Sequence, residues 1–208
     1  SIEKAFPFFV AAPSIMDSVF GLTGKGFTLI CADRSAARSI LTFKHDEDKI
    51  TQLDEHKILG CAGENSERVA FADYCKANLA LAKLRSSHEV TTGAWASWTR
   101  SSLATALRKK PYHVNLLLGG YDADEGATLH WLDYLGSSSK KDFGAHGYCA
   151  SFVISTMDRY WREGLDEAAA VEIAKKCIHE IHTRFAMSQP RFICKIADAA
   201  GVREISLE

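Results

Sequence analysis

Asp33 closes the apolar run Phe27-Thr-Leu-Ile-Cys-Ala-Asp33, and Lys49 heads a second short strand pattern, Lys49-Ile-Thr-Gln-Leu53. A carboxylate and an amine held at strand ends are the residue types that steer protons to and from a hydroxyl or thiol nucleophile. The question they raise is which nucleophile they serve. Other groupings carry weaker chemistry. Cys177, His179 and His182 share one helical stretch, and a histidine pair at i, i+3 can hold part of a zinc site, but two further ligands would have to come from elsewhere. We read them as polar residues on a half-exposed helix. His146, beside Gly147, has the chemistry of a general base, yet no Ser or Cys stands in a recognisable nucleophile elbow, so a loop or helix-start histidine is the better reading. Gly21, Gly24 and Gly26 lie at a strand turn without the Lys-Ser/Thr or the helix start of a phosphate loop. The run Lys-His-Asp-Glu-Asp-Lys, 44 to 49, reads as a solvated turn. No metal and no cofactor is expected.

The elements that must position these groups follow from composition and period. A chain of 208 residues with 47% hydrophobic and 25% charged residues fits one globular domain. Its 25 basic and 26 acidic side chains leave no global field to draw it to nucleic acid or to an anionic membrane. The six cysteines, at 31, 61, 75, 149, 177 and 194, form no CxxC pair and sit in apolar patterns, which predicts reduced core residues of a cytosolic or nuclear protein. The first fifteen residues, Ser1 to Ile15, lack the charged start and long apolar run of a signal peptide and read as an arm ahead of a single domain over 16–208.

Strand patterns occupy 18 to 62 (SVFGLTG, GFTLICAD, SILTF, KITQL, HKILGCAG), with a hairpin turn at Gly24-Lys25-Gly26. A helix capped by Asn65 follows, with Val69, Ala72, Cys75, Leu79 and Ala82 on its buried stripe; a second helix spans about Thr92 to Leu107, burying Trp95, Trp98, Ser102, Leu103 and Leu107. Two strands joined by Asp-Ala-Asp-Glu-Gly come next, then a helix over GYCASFVISTMDRYW, a break at Gly164, a long helix capped by Asp166, and two closing strands around Gly201. The order strands, two helices, strands, two helices, strands is satisfied by an α+β fold, a four-layer αββα sandwich of two antiparallel sheets, in which every amphipathic face finds a partner.

On this frame, ICADRSA followed by DKI, then LGCAGENSE and LLLGGYD, resemble the proteasome beta subunits, members of the N-terminal nucleophile hydrolases, over nearly all of residues 16–208. MDSVFGL, VAFADYCKANLALAKLR, PYHVNLLLGGYDADEG, LDYL, AHGY and MDRYW are most similar to the type-4, non-catalytic beta subunits. The resemblance implies that Asp33 and Lys49 match the catalytic family's Asp and Lys. It also implies a nucleophile that this chain lacks. Catalytic members place a Gly-Thr junction where the first strand begins, and here that place reads Ile15-Met16-Asp17-Ser18. Chemistry needs a free amine and a hydroxyl on one residue there, so Ser18 would have to be exposed by a cut after Asp17. Ser1 is separated from the strand by the arm. His146 and Tyr148 stand where small residues are expected, and Phe185 where a supporting Asp is expected; an apolar ring cannot orient a hydroxyl or stabilise a charge.

The expectation is therefore a non-catalytic structural subunit in the beta ring and chamber wall of the core particle, which degrades proteins in ubiquitin-dependent catabolism, in cytoplasm and nucleus, with Asp33 in a structural role. Its partners would be other beta subunits of its own and the opposite ring, and alpha-ring subunits, with no nucleic acid and no membrane. Contact candidates are Asp122 and Asp124 on the hairpin at 121–127, and Tyr148, Phe152, Met157, Tyr160 and Trp161 on the following helix, the latter on the ring-to-ring side. The alternative is an active N-terminal nucleophile peptidase using an exposed Ser.

Overall fold

Successive residues of a strand point to opposite faces, and the run Phe27–Asp33 is apolar on both, so it demands cover on two sides. A computed structural model, which describes residues 17–38, 41–186 and 188–207, supplies both covers. The strands are β1 (Ser18–Gly24), β2 (Phe27–Asp33), β3 (Ala36–Arg38), β4 (Leu41–Lys44), β5 (Ile50–Gln52) and β6 (Lys57–Gly63), then, after helices α1 (Asn65–Ser86) and α2 (Thr92–Leu107), β7 (Val114–Asp122), β8 (Gly126–Leu132), β9 (Ser138–Lys141) and β10 (Phe143–Gly147). Helices α3 (Ala150–Tyr160) and α4 (Glu167–Arg184) precede β11 (Phe192–Asp198) and β12 (Gly201–Ile205). One sheet has the order β10-β1-β2-β11-β12, the other β5-β6-β7-β8-β9, and all pairings are antiparallel.

The chain is thus an α+β sandwich of four layers. Phe27, Leu29 and Cys31 of β2 join Val153, Met157, Ala174 and Cys177 under α3 and α4. Ile30 and Ala32, on the other face, meet Ile58, Leu117 and Leu129 between the sheets. Leu116 and Leu118 of β7 turn outward to Phe71, Leu79, Trp95 and Leu103 of α1 and α2. Close approach of the sheets depends on two missing side chains: a Cβ on Gly119 would come within 2.5 Å of Thr28 Cγ2, and one on Gly60 within 2.8 Å of Ile30 Cγ2.

Several expectations need correction. Cys31 and Cys194 are register partners across β2 and β11, 4.2 Å apart at Cα, and form a disulfide; the other four cysteines are free and buried. A separation of 163 residues hides that pair from sequence, and the cysteine argument for a reducing compartment falls with it. The α1 cap is Glu64, whose carboxylate accepts from the Ser66 and Glu67 N–H groups, rather than Asn65. Val69 is exposed, while Arg68 turns inward to Glu47 and Asn65. In α2 it is Thr92, Ala96 and Thr99 that are buried beside Trp95 and Leu103; Trp98, Ser102 and Leu107 stay half-covered. The described part of the segment read as SILTF is the strand β4, but it pairs only with β3 in a separate two-stranded sheet, outside the two layers of the sandwich, with Leu41 and Phe43 exposed at 60% and 70%. Strands β9 and β10 were not foreseen. Asp166 caps α4 as expected, accepting from Ala169 N at 2.8 Å. The arm of residues 1–15 lies outside the described residues.

Gly119→Ala should destabilise the protein by roughly 1–3 kcal/mol through overpacking, which at about 2–4 °C per kcal/mol for a chain of this size appears as a melting-point drop of several degrees in scanning fluorimetry.

Candidate functional site

Asp33 ends β2 where the chain turns. Its Oδ2 accepts the N–H of Ser35 two residues on, at 2.9 Å, an Asx turn that fixes the side chain against its own backbone. Arg34 N–H donates to Arg191 O across the sheet edge, and Arg34 O in turn accepts from Glu47 N. Glu47 is tied at 2.8 Å to the buried Arg68 of α1, and Asp48 to Lys195 at 2.6 Å. The loop of residues 45–49 is therefore clamped from two sides before Lys49 enters, and Lys49 O accepts from Cys61 N in β6.

Lys49 is 2% exposed. Its ammonium reaches Asp33 Oδ1 and Oδ2, both at 2.9 Å, Asp17 Oδ1 at 2.5 Å and Ser35 O at 2.7 Å. An ammonium has three protons, and three partners take them. The carboxylates are equally occupied: Asp33 Oδ1 also accepts from Ser18 N at 2.8 Å, and Asp17 Oδ2 from Gly63 N at 2.9 Å. Every oxygen of both groups has a donor, as burial of charge requires. Burial holds the Asp33 carboxyl above its usual range, with the Lys49 ammonium pulling the other way.

The structure thus brings Asp33, Lys49, Asp17 and Ser18 together at the start of β1. Met16 lies outside the described residues. Ser18 is fully buried, and its hydroxyl donates to Gln189 Oε1 at 2.7 Å. Gln189 escaped sequence reasoning; its only signal is a polar side chain between the α4 helix and β11. Phe185, the residue after α4, borders with Asp17, Asp33 and Gln189 a cavity of about 10 Å³, which is room for one water at most. Its ring lies 6.1 Å from that of Tyr148. Cys149 is buried near Ser18, and burial pushes its thiol up to about 11, which leaves it un-ionised at neutral pH.

His146 belongs to β10, paired with Val19, stacked 4.7 Å from Trp131 and bonded through Nε2 to Leu116 O at 3.0 Å. Burial lowers it to about 4, so it is a neutral core imidazole. Cys177 is buried against Val153 O, and His182 Nε2 meets Gln189 O at 2.9 Å. These two residues are engaged separately. Among the contact candidates, Met157 must be withdrawn, since it is fully buried on the core side of α3. Asp122 is also turned inward: its carboxylate accepts from Thr92 N at the start of α2, whose cap is Thr91, and lies 3.7 Å from Lys57. Trp161 donates to Thr23 O at 2.9 Å and packs on Phe143, which leaves it partly covered. Tyr148 and Tyr160 remain exposed, as does Asp124, and Phe152 is half-buried.

A family model described as "Proteasome subunit" matches residues 16–197. The chain is 47% identical over 189 residues to "Proteasome subunit beta type-2-A" of Arabidopsis thaliana, covering 91% of this chain and 93% of that protein. It is 38% identical over 191 residues to "Proteasome subunit beta type-2" of Dictyostelium discoideum, covering 90% and 96%. It is likewise 38% identical over 194 residues to "Probable proteasome subunit beta type-4" of Schizosaccharomyces pombe, covering 92% and 100%. The relatives carry two different type numerals, so the beta assignment stands and the numeral four does not follow.

Removing the ammonium should cost far more than removing one carboxylate. Lys49→Met leaves two buried carboxylates facing each other and should lose about 3–5 kcal/mol, whereas Asp17→Asn, at the more open end of the cluster, should lose less; the two melting points check the order. For His146, the folded value near 4 lies below the unfolded value near 6.5, so its contribution is complete above pH 6.5 and is lost as pH falls toward 4. The loss should reach up to about 3 kcal/mol, read as the difference in melting point against pH between the wild type and His146→Gln.

Proposed function

The chain belongs to the proteasome beta-subunit family, and from that premise we propose that it is a non-catalytic member, a wall subunit of the beta ring whose particle owes its proteolysis to other subunits. The reading rests on one observation: the Lys49 ammonium is fully engaged by Asp33, Ser35 O and Asp17, the residue directly ahead of β1. An N-terminal nucleophile needs a free amine beside its own hydroxyl, within reach of such a Lys and Asp. Here the carboxylate of Asp17 fills the space in front of Lys49. The next residue, Ser18, is joined to Asp17 by a peptide bond, and its N–H is spent on Asp33. Asp33 and Lys49 then act as a buried brace that joins β1, β2 and the edge of β5.

The same contact gives the alternative its foothold. A cut after Asp17 would leave a free Ser18 amine where the N–H now sits, 2.8 Å from Asp33 Oδ1. That cut would also strip Lys49 of one carboxylate, and the Ser18 hydroxyl would still be committed to Gln189. Partnership with other beta subunits and with alpha-ring subunits, and residence in cytoplasm and nucleus, belong to this proposal through the family.

The test is made on particles purified through a tag on the last residue, Glu208. Ser18→Ala should leave every peptidase activity of the particle unchanged, and the mass of the chain should include Asp17. Loss of one activity on Ser18→Ala, with a chain that begins at Ser18, would establish the peptidase instead.

A further inference from the structure

Four of the six cysteines meet in one apolar cluster beneath α3 and α4: Cys31 and Cys194, which are bridged, and Cys149 and Cys177, which are free. All four are fully buried. Strand β2 lies between β1 and β11, and β11 between β2 and β12, so neither bridged residue stands on a sheet edge. Val153, Met157, Ala174 and Ile181 of the two helices cover the same face. A thiolate must reach a sulphur of the bond it opens, and this bond shows no surface to a soluble thiol. The free thiols inside the cluster do not open it either: burial pushes Cys149 up to about 11 and Cys177 up to about 12, so both are un-ionised at neutral pH. Closing the bond has the opposite requirement. Its partners are 163 residues apart and become neighbours only when β2 and β11 pair, and an oxidant must reach them before the helices settle on the sheet.

We propose that Cys31 and Cys194 are a redox modification site of the folding chain. A low-molecular-weight disulfide of the glutathione type closes the bridge while this face of the sheet is open, and the docked helices then shield it from cellular thiols. In the first step the thiolate of one cysteine attacks the small disulfide, forms a mixed disulfide and releases one small thiolate. The thiolate of the other cysteine then displaces the second. The protein pair gives up two electrons and two protons, and the small disulfide becomes two thiols. The bridge thus records the redox state at folding, not that of the solution around the finished protein. It also ties together the strands that carry the Lys49 brace: Asp33 ends β2 two residues after Cys31, and its register partner Phe192 lies two residues before Cys194.

The test takes the protein purified through the tag on Glu208, with N-ethylmaleimide present from lysis and again on unfolding, and maps its peptides without reduction. The expected result is a Cys31–Cys194 cross-linked peptide in most copies, with maleimide on Cys61, Cys75, Cys149 and Cys177. Dithiothreitol should then open the bridge in the native protein at least about a hundredfold more slowly than in the urea-unfolded chain, because attack must wait for a rare opening of the structure. Maleimide on Cys31 and Cys194 in most copies, a bridge to Cys149 or Cys177 in place of this one, or a native rate within that factor of the unfolded one would overturn the proposal.

Discussion

A lysine buried among the strands can stay charged only if its surroundings replace the water it has lost. Lys49 sets that constraint, and much of the local architecture meets it. Asp33 is delivered by the end of β2, Asp17 by the entry to β1, and the Ser35 carbonyl by the turn between β2 and β3. The carboxylates in turn need donors, which come from Ser18, Ser35 and Gly63. Backbone from three strands and a turn thus converges on one ammonium. The clamps on the lysine's own loop, Glu47 to Arg68 and Asp48 to Lys195, keep it from relaxing outward.

That closed set of bonds is also what separates a brace from a proton relay. A lysine and an aspartate that serve a nucleophile must leave a place for its amine and hydroxyl. Here one carboxylate fills the place in front of the ammonium, a serine in peptide linkage donates to the other, and a glutamine holds that serine's hydroxyl. On the reading proposed above, the fold of a hydrolase is kept for its shape, because the same strand-end ion pair that tunes chemistry also joins the strands that present it.

How much of this could be read from the chain varied by element, for physical reasons. The four layers were legible because β2, β6 and β7 are apolar on both faces and alternate with amphipathic helices of ordinary length. Asp33 and Lys49 were legible because charges at the ends of apolar strands need a reason to be there. Asp17 was seen only as part of a defective junction; its bond to Lys49 spans 32 residues and leaves no local trace. Strands β9 and β10 were missed because Ser138-Ser-Lys-Lys141 and the flanking Asp142 look like loop, and their order comes from pairing with β8 and β1. Met157 was misplaced although Val153 stands one helical turn before it, an i, i+4 pair that marks the inner face of α3. The disulfide could not be seen at all, since it depends on the register of two strands at opposite ends of the chain.

The central claim is that no residue at the start of β1 is available as a nucleophile. The most direct measurement treats the intact particle with a peptide electrophile that acylates or alkylates N-terminal nucleophiles, then reads the mass of every subunit. The account predicts adducts on other subunits and an unchanged mass for this chain. A stoichiometric adduct on this chain, mapped to Ser18 or to any residue ahead of it, would contradict the account.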